Sequence, residues 1–186
     1  MKKQITILSF LFTSFILAQE TNSKFNLGLK YQVGQIGAIG IEAEYFGNKN
    51  LKSPLLFNAN LTGLSIKTDY GDAVGLGYEV GIGSRNYLNK NSLPKGVYVD
   101  SYINYGSITF NDDLSFNNGK FNVDGKFKYI SILNSSIGYK FLIKKFIVEP
   151  SISGRYNIEI KAKGDIDNKD INNFLFNAGI RLGYTF

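Results

Sequence analysis

The sequence has no cysteine, no histidine and no tryptophan, and only three prolines among its 186 residues. Without cysteine there is no disulfide, no thiol nucleophile and no thiolate-ligated zinc or iron–sulfur centre. Without histidine the usual general base and the commonest metal ligand are missing as well. Most enzyme classes lose their working parts at once, so the sequence reads as a non-enzyme with no cofactor and no metal. Basic residues outnumber acidic ones by only 21 to 15 and are interspersed with them. There is therefore no concentrated basic stripe of the kind nucleic acid needs.

What is present is 20 Gly, 12 Tyr and 15 Phe, with many Asn and Ile. Aromatic and β-branched side chains suit a pleated surface, while Gly and Asn suit its turns. The composition is that of an all-β protein, and the length is that of one domain.

Residues 1–18 read as an export signal. Lys2 and Lys3 form a basic start, Ile5 to Leu17 an apolar run of 13 residues, and Ala18 a small residue before a cut at Gln19. A membrane-spanning helix needs ~20 apolar residues, and this run is shorter and broken by Thr and Ser. Residues 19–186 are then a single barrel domain.

From residue 25 onward, eight runs of period-two alternation are separated by clusters of Asn, Gly, Asp, Lys and Ser, which predicts strands joined by turns. They fall at roughly 25–34, 37–46, 55–66, 74–84, 96–108, 127–143, 146–158 and 174–186. Taking five alternating positions per strand separates two faces. One, containing Leu29, Ile41, Leu61, Leu76, Val80, Ile137 and Ile180, is apolar at 34 of 40 positions and carries no charge.

The opposite face is apolar at eight of 40 positions and holds nine charged residues: Lys30, Glu42, Glu44, Glu79, Asp100, Lys140, Glu149, Arg155 and Arg181. It is also rich in Gly, which belongs where space is limited. An eight-stranded barrel has an interior just wide enough for side chains to fill it. Glycines beside large polar groups therefore predict a crowded polar lumen, and the apolar face is left to hydrocarbon. A closed barrel pairs every backbone N–H and C=O without an edge, as a bilayer demands. The fold expected is an all-β, eight-stranded antiparallel up-and-down transmembrane β-barrel.

Turn lengths agree with this register. Ile143 and Phe146 flank the two-residue turn Lys144–Lys145 and share the apolar face, as a two-residue hairpin requires. An exported chain starts on the periplasmic side, which places connections 34–36, 67–73, 109–126 and 159–173 outside. The last two, rich in Asn and Asp, are candidate loops for a surface partner.

The last strand, Asn177 to Phe186, ends on an aromatic with Ile180, Leu182 and Tyr184 at alternating positions. It resembles the C-terminal recognition signal of outer-membrane barrels. Over residues 25–186 the chain is similar to the small eight-stranded outer-membrane proteins, such as the membrane domain of outer membrane protein A and outer membrane protein X. The segments Gly96 to Tyr102 and Gly138 to Ile143 also resemble uncharacterised barrels of this class. The resemblance implies an outer-membrane location and insertion by the barrel-assembly machinery, with Ile180, Leu182, Tyr184 and Phe186 as the signal. It implies no single activity.

The resemblance also implies inward charges that pair and block the lumen. Arg181 and Arg155, with their forked donors, are the expected hubs, with Glu149, Glu42, Glu44 and Glu79 as partners. Gly75, Gly77, Gly81 and Gly83 line one strand's inner face opposite Tyr98 and Tyr102; no helix follows to make them a phosphate loop. Asp165, Asp167 and Asp170 offer oxygen ligands, but Lys169 interrupts them and they read as a solvated loop. Lys120, Lys126, Lys161 and Lys163 lie near the outer rim, within reach of lipopolysaccharide phosphates. Tyr31, Tyr45, Phe46, Tyr105, Phe110, Phe127, Tyr156, Phe174, Tyr184 and Phe186 suit interfacial girdles.

The function expected is an outer-membrane barrel with a plugged lumen, serving the envelope or engaging surface partners through its loops. The alternatives are a narrow porin or small-molecule channel, a lipid enzyme of the barrel type, which the lack of His disfavours, and a secreted soluble barrel around an apolar ligand.

Overall fold

A computed structural model describes residues 25–47, 53–68, 71–88, 95–116, 119–164 and 171–186. The expected signal segment lies outside these residues. Eight strands follow one another: β1 (Phe25–Gly34), β2 (Ile36–Tyr45), β3 (Leu55–Thr68), β4 (Gly71–Tyr87), β5 (Gly96–Phe116), β6 (Gly119–Ile143), β7 (Phe146–Gly164) and β8 (Phe174–Thr185). Each pairs antiparallel with its neighbour, and β8 returns to β1 to close the barrel. The closing seam runs through Leu29 opposite Leu182 and Lys30 opposite Arg181.

The pleat sends alternate side chains to opposite faces, and here the apolar set faces outward. Leu29, Leu61, Leu76, Ile103 and Phe176 are each more than 60% exposed, whereas Glu42, Glu44, Glu79 and Arg181 are no more than 2% exposed. That inverts the polarity of a soluble barrel, and it is the architecture of the small transmembrane barrels.

The strands differ greatly in length. β1 and β2 have 10 residues each, whereas β5, β6 and β7 have 21, 25 and 19. Most of segments 67–73 and 109–126, and residues 159–164 of the last segment, expected as connections, are thus strand. The reason is a change of polarity partway up. In the upper parts of β5 and β6 the inward residues are apolar (Ile108, Phe110, Phe127) and the outward ones polar (Thr109, Asn111, Lys126). This is ordinary water-soluble patterning, and it breaks the apolar-outward alternation that marks the membrane zone.

One irregularity sets the phase of β6. Tyr102 pairs with Asn134, but Asn104 pairs with Ser131, so β6 carries an extra residue there. Leu133 adopts a left-handed φ of 50° and is 76% exposed. Such a bulge reverses the faces beyond it. It turns Phe127 and Tyr129 into the lumen, where both are fully buried. Phe127 is therefore not a girdle residue.

Candidate functional site

The lumen is stacked in tiers between two ends. The lower end carries both strand termini of the barrel and the β6–β7 turn; the upper end carries the short β1–β2 connection at Gln35.

In the lower tier, Arg85 lies at the centre. From β4 it meets Asp100, its direct cross-strand neighbour on β5, through Nε to Oδ1 at 2.6 Å and Nη2 to Oδ2 at 2.9 Å. Its Nη1 donates across the lumen to both Glu149 oxygens at 3.0 and 3.1 Å. Nη2 reaches Glu42 at 3.4 Å, and Nη1 lies 3.6 Å from Glu44. The guanidinium also lies 3.8 Å above the Tyr98 ring, a favourable cation–π placement.

Around this hub, Arg181 donates to Glu42 at 2.5 Å, with Glu149 at 3.1 Å from its Nε. Lys140 donates to Glu44 at 2.6 Å and to the Tyr87 hydroxyl at 2.9 Å. Lys30 donates to Glu42 at 2.9 Å, and Asn26 to Glu44 at 2.6 Å. The contacts join β1, β2, β4, β5, β6, β7 and β8 across the axis.

In the middle tier, Arg155 of β7 donates to Glu79 of β4 at 2.5 Å. Glu79 also accepts from Asn104 at 2.7 Å and from the Tyr129 hydroxyl at 3.0 Å. A polar cavity lies between these two tiers, lined by Lys30, Asn58, Tyr102, Ser136 and Arg155 among others, with room for about one water molecule. Above it, Ile36, Leu64, Ile66, Ala73, Ile108, Phe110, Val123, Phe127, Tyr129, Ile171 and Leu175 form one buried apolar cluster.

All nine inward charges named from the sequence lie on the lumen face, and the structure brings all nine, with Arg85, into contacts on two tiers. The hub is Arg85 rather than Arg155, whose one ion pair among the described residues is with Glu79, while Arg181 is a second hub. Arg85 escapes the sequence reading because residues 84–86 (Ser, Arg, Asn) are polar on both faces and end the visible alternation. The available signal is phase: Arg85 continues the series Gly75, Gly77, Glu79, Gly81, Gly83. With it the network has five cations and five anions and is neutral.

The inner glycines make room for these groups. A Cβ on Gly83 would stand 2.6 Å from the Tyr102 ring, and one on Gly138 would collide with the Tyr98 hydroxyl. The carboxylates turn toward cations and amides. Among the described residues no group of three or more side chains forms a metal site. Asp165, Asp167 and Asp170 lie outside the described residues, as does the side chain of Lys120.

On the outer surface, Ile180 and Leu182 are exposed and Tyr184 packs edge-on against Phe146 and Phe186. The Phe186 N–H donates to the Phe25 carbonyl at 3.0 Å, holding the chain end to β1. Tyr31, Tyr45, Tyr156 and Phe174 are exposed. Phe110 is buried in the upper cluster because even-numbered β5 residues point inward, and Phe46, in phase with Glu44, lies beneath Lys140 at the lower mouth. These two join Phe127 as departures from the expected girdle. Lys126, Lys161 and Lys163 are exposed.

Compared with known protein families and with curated protein sequences, the chain has no match. Among solved structures it is similar to the N-terminal β-barrel domain of Pseudomonas aeruginosa OprF, at 14% identity and a TM-score of 0.40, covering 90% of this chain and 100% of that one. It is also similar to Acinetobacter baumannii CarO, at 13% identity and a TM-score of 0.45, covering 89% and 98%.

Proposed function

We propose that this chain is an integral outer-membrane barrel whose lumen is closed by its own side chains and whose working surface is the upper rim. The observation that carries this reading is the pairing of opposites by location. The outward face in the membrane zone is apolar and uncharged, while ten charges of balanced sign meet across a lumen of eight-strand width. Burying single ions in such a space is prohibitive, whereas a paired and hydrogen-bonded set is tolerated.

With the axis filled, no route is left for solute, and the chain has no histidine or cysteine to support hydrolysis of a lipid. The role that remains is structural and interactive: a rigid body in the envelope that presents to a partner the segments 109–126 and 159–173. The aromatic-ended β8 is the segment offered to the barrel-assembly machinery, through Ile180, Leu182, Tyr184 and Phe186.

Two measurements test this. Membrane fractionation with a heat-modifiable gel shift should place the folded chain in the outer membrane. In proteoliposomes it should pass no small solute and give no discrete conductance. Steady conductance would overturn the closed lumen in favour of a narrow channel, and recovery in the detergent-free soluble fraction would overturn the membrane assignment.

A further inference from the structure

On the outward face of β6 and β7 the last apolar cross-strand pair is Ile130 opposite Ile158. The two outward pairs above it are Lys128 opposite Lys161 and Lys126 opposite Lys163. This arrangement depends on an irregularity in β7. The pairing steps from Tyr129–Glu159 to Lys128–Lys161, leaving Ile160 as an extra residue. Uninterrupted alternation from Arg155 and Asn157 would aim Lys161 and Lys163 at the lumen; the bulge turns them outward instead. Ala162, packed on the inner apolar cluster, fixes the opposite face.

Like charges directly opposite one another destabilise a sheet, and here two such pairs are stacked. None of the ion pairs among the described residues includes any of the four lysines. The β5 residues alongside are the exposed Thr109, which offers a hydroxyl, and the buried Ser107, and the next outward residue of β6 is Asp124. Four ammonium groups on a patch about 5 Å by 7 Å between Cβ positions match the chemistry of phosphate.

We propose that Lys126, Lys128, Lys161 and Lys163 form a site for the phosphate of a lipid headgroup. The lipid source follows from continuity. Ile130, Ile158 and Ile160 are exposed immediately beneath the lysines, so acyl chains and headgroup are met by adjoining surfaces of the same two strands. A free phosphate uses only the upper part. The inference rests on the reading above, that the outward face contacts lipid.

The test uses the full chain refolded in phosphatidylcholine vesicles and in vesicles that also contain phosphatidic acid. Insertion is scored first by the heat-modifiable gel shift. Retention of labelled phosphatidic acid by the protein in neutral micelles is then compared with that of the variant carrying Lys126→Gln, Lys128→Gln, Lys161→Gln and Lys163→Gln. The variant should insert normally and hold the lipid at least about tenfold less tightly, since each basic residue near a phosphate surface contributes about 1 kcal/mol. In phosphatidylcholine alone Lys128→Glu, which sets an acid opposite Lys161, should resist urea better than the parent, and it should lose phosphatidic acid. Equal retention by parent and four-fold variant would overturn the site. Complete displacement by inorganic phosphate would overturn its assignment to lipid. A parent that never enters vesicles would instead overturn the membrane reading on which the site rests.

Discussion

Arg85 and Asp100 face each other fork to fork from adjacent strands, with two parallel N–H···O contacts of 2.6 and 2.9 Å. The same guanidinium spans the axis to Glu149. One side chain therefore ties neighbouring strands and opposite walls together, and four carboxylates depend on it.

Arg85→Met removes the cation and leaves Glu42, Glu44, Asp100 and Glu149 short of one positive charge. Breaking a buried pair this way costs about 3–5 kcal/mol. Urea unfolding of the refolded barrel in vesicles should register that loss. Arg85→Lys should restore little of it, because an ammonium lacks the planar fork that meets Asp100 and Glu149 together.

Ile180→Arg places a charge on the outward face of β8, at a position paired with Tyr31 and Pro150 in the membrane zone. The expected cost is ~2–4 kcal/mol near the bilayer midplane, read as a lower folded fraction in vesicles. A variant of unchanged stability would show that this face does not meet hydrocarbon.

Gly106 lies directly opposite Tyr129, whose ring covers it; a Cβ there would stand 2.6 Å from Tyr129 Cε1. Gly106→Ala should cost about 1–3 kcal/mol through overpacking. In a Tyr129→Leu background the same substitution should cost much less, because the clash is with that ring. A double-mutant cycle in urea measures the difference.

Deletion of Leu133 removes the extra residue of β6. The upper half of the strand would then present Phe127 and Tyr129 outward and Lys126 and Lys128 inward, so the folded form should vanish from the gel-shift assay. Leu133→Gly keeps the residue count and accepts the left-handed φ without a Cβ clash, and it should insert normally.

The membrane zone was legible because hydrocarbon imposes a strict rule: every outward side chain from Leu76 to Ile82 or from Ile137 to Phe141 must be apolar or small, and the alternation is unbroken. Above that zone the rule relaxes. Past Ile108, Phe110 faces in while Thr109 and Asn111 face out, so the same period-two pattern continues with its sign reversed and reads as loop. The bulge at Leu133 has no composition signal, since Leu is neither Gly nor Asn, and without it Phe127 falls on the wrong face. Of the ion network, the acids and Arg181 lay within clean alternation. Arg85 did not, because its outward neighbours Ser84 and Asn86 stand where the sheet leaves the bilayer and Ser53 bonds Asn86 instead.

The unequal strands give the barrel a slanted crown. A 25-residue β6 stands beside 21- and 19-residue companions, while the 10-residue β1 and β2 stop at a low sill. At ~3.3 Å per residue the tall flank overtops the sill by tens of ångströms along the strand direction. A macromolecule arriving from above meets a wall on one side and open ground on the other. A partner docking there would thereby be oriented about the barrel axis before any particular side chain is touched.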